Sequence, residues 1–311
     1  MPVALLPDRA LVTVTGPDAT TLLQGVLTCN VETLRPGEAR LGALLTPQGK
    51  ILFDFLVSRI PDGFRFDVLA DRAADLAKRL TLYRLRAQAT IAADPTVAVA
   101  AAWAGATPPA AEAVADSRAA DLGARLYAAA GAFSAEAAEA DYHAHRIALG
   151  VPEGGRDFAF GDAFPHEALM DQLGGVDFRK GCYVGQEVVS RMQHRGTART
   201  RILAAAYPDA APAPGTEITA GGKVLGTTGS AAGNRGLATI RLDRLGDALA
   251  SGETPLAGDR PVTLTRPAWR VWASSFRSGA RSWPWARAGW CGRMRRRGWR
   301  SCRSARACRR P

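Results

Sequence analysis

Leu41 to Ile60, LGALLTPQGKILFDFLVSRI, sets two strand-like runs on either side of the turn residues Thr46 to Gly49. In the second run Ile51, Phe53, Phe55 and Val57 recur at every other position, the period of a strand, so the stretch predicts a half-buried β-hairpin. A second turn at Pro61 to Gly63 leads into FRFDVLA (64–70), which extends the sheet. Upstream, ALVTVTG (10–16) is a further strand and PDATTLLQGVLT (17–28) a helix, opened by Pro17 where a missing N–H costs nothing. From Asp71 to Ala89 the period changes. Leu76, Leu80, Tyr83 and Leu85 fall near helical spacing, with Asp71 available as N-cap. Strands followed by a helix indicate an α+β layer.

Further along, the Ala-rich segment 96–131 predicts short strands parted by a loose loop at Pro108 and Pro109. Ser134 to Leu149 predicts a helix ending at Gly150. RILAAAY (201–207), KVLGTTGS (223–230), LATIRL (237–242) and PVTLT (261–265) are short strands between Gly-rich turns, the pattern of a small C-terminal barrel or sandwich. No phosphate loop and no GxGxxG after a strand occurs.

The 311 residues carry a formal charge of +11, which would ordinarily point to nucleic acid or an anionic membrane. The distribution argues otherwise. Residues 270–311 hold 13 Arg and no acidic residue, so the remaining 269 residues, with 27 basic and 29 acidic side chains, sum to −2. The tail also holds five of the seven Trp and three of the five Cys, with no periodicity, and predicts disorder. It reads either as a nucleic-acid or membrane arm or as out-of-frame translation of a GC-rich gene. The abrupt change after Trp269 and the loss of every acid favour the second. Two cysteines in the body, Cys29 and Cys182, are too few for a disulfide framework. With no signal peptide and no long apolar run, the expectation is a cytoplasmic protein that makes no membrane contact.

The chemistry concentrates in Val176 to Gly196, VDFRKGCYVGQEVVSRMQHRG. Val188, Val189 and Met192 suit one side of a short helix, His194 and Arg195 its carboxyl end, and Gly196 its close. Cys182 then lies just ahead of that helix. With Arg179 and Lys180 nearby, its thiolate would be favoured, although a small buried hydrophobe fits the same context. Gln186 and Glu187 suit either capping of the helix start or hydrogen bonding to a flat heterocycle. Glu167, in FPHEALMDQLGG, is either a solvated charge or a neighbour of the same loop. No histidine stands at zinc spacing, and no metal site is expected.

KGCYVGQE, preceded by GVDF and followed by VVSRMQHRG, resembles the signature of the YgfZ family of folate-binding proteins that support iron-sulfur cluster maturation, relatives of the T-protein, the aminomethyltransferase of glycine cleavage. LLQGVLTCNVETL, LLTPQGKILFDF, HRIALGVPEGG and PHEALMD follow in the family's order, from about Leu5 to Trp269. The resemblance implies an α+β, three-domain ring with two ferredoxin-like domains and a C-terminal small β-barrel. Its boundaries would be 1–38 with 138–196, 39–137, and 197–269.

It also implies tetrahydrofolate as cofactor, with Glu167, Tyr183, Gln186 and Glu187 toward the folate, and Cys182 with Lys180 as the reactive pair. The expected partners are iron-sulfur enzymes or cluster-assembly proteins, including radical enzymes that modify tRNA. Direct nucleic-acid binding is not expected. Asn30 departs from the Asp usual in the family. The alternative function is an aminomethyltransferase of the T-protein type, which would need a carboxylate placed to assist attack.

Overall fold

The computed structural model describes residues 2–105, 112–196 and 198–267, all within one unit, Met1–Ser275. The expected disordered tail lies outside the described residues.

Nine strands form the first sheet: β1 (Val3–Leu5), β2 (Arg9–Thr15), β3 (Glu38–Leu45), β4 (Ile51–Ile60), β5 (Gly63–Leu69), β6 (Thr90–Asp94), β7 (Val97–Ala102), β8 (Glu112–Asp116) and β9 (Ala124–Ala129). Their order is β1-β7-β9-β8-β3-β4-β5-β2-β6, antiparallel except where β3 meets β8. The hairpin read from Leu41 to Ile60 is present, with Leu41 opposite Leu56.

Its burial differs from the expectation. Phe53, Phe55 and Val57 pack with helices α1 (Ala19–Val26) and α2 (Ala73–Arg84) on one face of the sheet. The other face is covered as well: Asp54, Leu56 and Ser58 are buried too. Ile51 joins this second face, because Phe53 lies opposite Leu44 and Ile51 opposite Leu45, leaving Leu52 as an extra residue that reverses the alternation. A strand with a covered layer on each side has no solvent face, and a single period-2 stripe shows only one of its neighbours.

Asp71 is not the cap of α2. It sits within a 3₁₀ turn, Ala70–Arg72, and Arg72 takes the cap position without a side-chain bond. Helix α3 (Glu139–Ala148) starts later than Ser134, and α4 (Gln186–Arg195) closes on Gly196 in the left-handed conformation, as its sequence predicts.

The second sheet holds β10 (Thr200–Ala206), β11 (Glu217–Ala220), β12 (Lys223–Ala232), β13 (Arg235–Arg241), β14 (Leu256–Ala257), β15 (Arg260–Pro261) and β16 (Thr263–Thr265). It runs β15-β14-β11-β12-β13-β10-β16, all antiparallel, around its own core of Leu203, Ile218, Leu225 and Ile240. Helix α5 (Leu242–Ala250), absent from the sequence expectation, follows β13 directly and buries Leu245. The core behind β3 and β4 joins the two sheets: Leu41, Ile51 and Leu56 share it with Tyr183, Val189 and Ile202.

Candidate functional site

The segment leading to Cys182 is held against the end of α1. The Thr28 hydroxyl donates to the Gly175 carbonyl at 2.6 Å and accepts from the Ala43 N–H, while the Asp177 N–H donates to the Thr28 carbonyl. The Asp177 carboxylate then accepts the backbone N–H groups of Arg179 and Lys180 at 2.7 and 3.2 Å, an Asx turn that aims the chain at the motif. Against the cost of burial, the Arg179 N–H, the Asn30 amide and the Lys180 N–H keep this carboxyl below its ordinary range. Asn30 therefore serves here as a neutral partner, where an Asp would face a second carboxylate.

The structure engages Lys180, expected beside Cys182, with a distant segment of the chain. Its ammonium donates to the Leu27 and Cys29 carbonyls at 2.7 and 2.8 Å, with 7% of the residue exposed, and lies 5.6 Å from the Tyr183 ring centre. Burial lowers its pKa, which nearby Cys29 and Asp177 oppose. The thiol it faces is Cys29, fully buried and pushed up to about 11 by that burial. Cys182 itself is exposed, which excludes the small-core-hydrophobe alternative. Sequence adjacency suggested the pairing; the intervening Gly181 lets the two side chains part.

Of the remaining expected site residues, Tyr183 is 6% exposed, its hydroxyl is buried without a hydrogen-bond partner, and burial pushes it up to about 12. Gln186 is the half-buried first residue of α4. Glu187 is exposed and ion-pairs with Arg191 one turn on, at 2.6 Å. Glu167 lies in a different turn, where one carboxylate oxygen accepts the Phe164 N–H at 2.9 Å. The two segments meet through His166, whose Nε2 lies 3.0 Å from Gln193 Oε1 on α4 and whose pKa is lowered by burial. A cavity of about 340 Å³ opens beside the Asx turn, with Asn30, Arg40, Asp177, Phe178 and Arg179 in its wall. None of the six expected site residues lines it.

A second polar centre was not read from the sequence. On the face of the first sheet opposite α1 and α2, five buried guanidiniums (Arg9, Arg65, Arg118, Arg125, Arg146) lie with the buried carboxylates Asp67, Asp116, Glu153 and Asp157, and Arg65 pairs with the more exposed Glu112 at 2.9 Å. Arg9 reaches Asp67 at 2.6 Å and Glu153 at 3.4 Å; Arg118 holds Asp116 at 2.7 Å; Arg125 approaches Asp67 at 3.2 Å; Arg146 holds Asp157 at 2.8 Å and Glu153 at 3.4 Å. With Glu112 counted, charge is balanced five against five.

Asp54 is a fifth buried carboxyl. It accepts only the Gly154 N–H, at 3.1 Å, and burial, reinforced by Glu153, raises its pKa. Glu153 goes the other way: although burial alone would raise it, Arg146 and Arg9 bring it down to about 2. The available signal was the charges at alternate positions of apolar strands, Asp54 in FDF and Arg65 with Asp67 in FRFDV.

Among the described residues one group has metal-ligand reach: Asp8, Glu139 and His143 bring ligand atoms within 4.8 Å of one another. The Arg156 guanidinium already holds Asp8 and Glu139 at 3.0 Å each, supplying the positive charge that an ion would bring.

Comparison with known proteins places this architecture. The family described as CAF17, C-terminal beta-barrel domain, matches residues 199–271. The iron-sulfur cluster assembly factor IBA57, mitochondrial, of Homo sapiens is 32% identical over 281 residues, 77% of this chain and 77% of that protein. The chain belongs to the IBA57 family. The Mus musculus member is 30% identical over 85% of this chain and 84% of its own. The Neurospora crassa homologue is 35% identical over 67% of this chain, and the match spans only about half of it, 54%.

Among solved structures, aminomethyltransferase T of the glycine cleavage system from Bartonella henselae superposes with a TM-score of 0.65 over 85% of this chain and 84% of its own. At 14% identity that likeness shows the fold alone: the T-protein-like α+β architecture with a C-terminal barrel, as expected.

The YgfZ resemblance is thereby refined to the IBA57 family, to which YgfZ is related. The cytoplasmic expectation is overturned. These relatives are named as mitochondrial, which points to the mitochondrion. No helix among the described residues is long and apolar enough to cross a membrane.

Proposed function

We propose that this protein assists the assembly or repair of iron-sulfur enzymes, radical tRNA-modifying enzymes among them, as a tetrahydrofolate-binding factor that offers the Cys182 thiol to a partner. The observation that carries this reading is the exposure of Cys182 between two buried residues of one motif, Lys180 and Tyr183. A thiol in that setting is reachable by a macromolecule, and the loop beneath it is fixed. One thiol cannot hold a cluster that needs four ligands, so any cluster contact is shared with the partner's own ligands.

For the folate, a pterin needs a carboxylate acceptor and polar groups not already committed. Glu167 keeps one oxygen outside the Phe164 bond, and the buried Tyr183 hydroxyl has no partner, so both fit that demand. Exposed Glu187, paired with Arg191, fits it poorly. The aminomethyltransferase alternative would need an ionised carboxylate as base. Asp54, the buried carboxyl without an ion pair among the described residues, has its pKa raised and is unsuited to that task.

The test has two arms on the full chain. Calorimetry with tetrahydrofolate should give saturable binding, and a flat titration would remove the folate part. In cells lacking the equivalent factor, the wild-type chain should restore iron-sulfur enzyme activity and Cys182→Ser should not. Full rescue by Cys182→Ser would remove the thiol part.

A further inference from the structure

We propose that Lys180 is a positioning residue: its ammonium straps the Cys182 loop to the carboxyl end of α1 and so fixes the direction in which the thiol meets its partner. The proposal rests on the reading of Cys182 as the presented thiol and adds how it is presented.

A buried ammonium is costly unless its donors are satisfied. Lys180 forms no ion pair among the described residues; it spends two donors on the Leu27 and Cys29 carbonyls at 2.7 and 2.8 Å. Those carbonyls lie just past the last residue of α1, at the negative end of the helix, which favours a cation there. The same few residues of chain take two more bonds from the approaching segment, Thr28 hydroxyl to Gly175 carbonyl and Asp177 N–H to Thr28 carbonyl. The loop is thus tied to residues 27–29 through Gly175, Asp177 and Lys180.

Beyond Lys180 the exposure alternates sharply. Lys180 is 7% exposed, Gly181 and Cys182 are exposed, and Tyr183 is 6% exposed. A Cβ placed on Gly181 would meet nothing within 4 Å, so this residue stands in open space just before the thiol. On the far side Gly185, at φ +79°, abuts the Thr46–Gly49 turn and starts α4. Cys182 therefore stands on a two-residue projection between fixed anchors. Releasing one anchor lengthens the free segment, and the thiol then samples many directions in place of one.

The alternative role for Lys180, electrostatic support of a thiolate, makes opposite predictions. Full-length wild type, Lys180→Met and Thr28→Val should be compared by amide hydrogen exchange over 175–183, by the pH profile of alkylation read by mass spectrometry on the peptide that carries Cys182, which separates it from the chain's four other cysteines, and by rescue of iron-sulfur enzymes in cells. Thr28→Val cuts the same strap without touching the charge, and it serves if Lys180→Met fails to fold.

If the strap is the role, both variants accelerate exchange in the loop by roughly tenfold or more. Both also lower rescue while leaving the alkylation midpoint where it is in wild type. An alkylation midpoint that rises by about one pH unit in Lys180→Met alone, slowing reaction at neutral pH about tenfold, with loop exchange unchanged, overturns the proposal. Cys182→Ser separates the two ideas: full rescue by it sinks the thiol reading while accelerated exchange still upholds the strap, whereas failed rescue with unaltered exchange in Thr28→Val sinks the strap alone.

Discussion

Replacing Glu153 with Gln tests the buried charge layer directly. Its carboxylate, 3% exposed, lies 3.4 Å from Arg9, 3.4 Å from Arg146 and 3.5 Å from the His143 ring. A displacement from the ordinary 4.5 down to about 2 corresponds to about 3 kcal/mol of native-state stabilisation of the charged form. Gln keeps the volume and removes the charge, leaving the buried guanidiniums Arg9 and Arg146, and Arg156 at their edge, short of one counter-charge.

Part of the loss is recovered, because Glu153 helps to keep Asp54 from ionising, and without it Asp54 can turn anionic beside Arg9. We therefore expect a loss of about 2–3 kcal/mol at pH 7, read by urea denaturation with circular dichroism.

The pH dependence carries the sign. A carboxyl whose folded pKa is depressed contributes stability that is complete above 4.5 and is lost as the pH falls toward about 2. Between pH 5 and pH 3 the wild type should thus lose about 2 kcal/mol that Glu153→Gln does not, and the two curves should converge. A gap that stays constant over that range, or one below about 0.5 kcal/mol at pH 7, would refute an ionised Glu153 as the hub of this layer.

Tyr183→Phe removes a buried hydroxyl that has no partner, so stability should stay level or rise by up to about 1 kcal/mol in thermal melts. If tetrahydrofolate affinity falls in the same variant, the hydroxyl serves the ligand; unchanged affinity would strike Tyr183 from the site. Gly185→Ala forces a Cβ to 2.5 Å from the Thr46 carbonyl oxygen at a φ of +79°. Both the clash and the left-handed backbone oppose it, and a loss of at least about 2 kcal/mol is expected on urea unfolding. A variant as stable as wild type would mean that α4 does not dock on the hairpin turn as described.

Much of the fold was legible because it is local. Periodicity located β2, β4, β5, α1, α2 and α4 near their observed places, and the helix-closing Gly196 and the short strands after residue 200 could be read from residue type alone. The motif KGCYVGQE, together with the segments around it, led through resemblance to a related family and to the observed fold. Misreadings arose wherever a side chain's neighbour is remote in sequence. Asp71 looked like a cap and lost the position to Arg72 when a 3₁₀ turn intervened. Lys180 looked like the companion of Cys182, two residues away, and instead bonds to Leu27 and Cys29, more than 150 residues back.

Residue order by itself determined where most of the strands and helices fall, that the chain's excess charge resides after Trp269, and which octapeptide holds the motif cysteine. Only the folded chain decided that the first sheet is covered on both faces and that its inner face carries a neutralised layer of arginines and carboxylates. It also decided that the motif lysine faces inward and its cysteine outward. The reason is physical: backbone preference and hydrophobic period act over a few residues, whereas desolvation and charge pairing depend on which distant groups burial brings within a few ångströms.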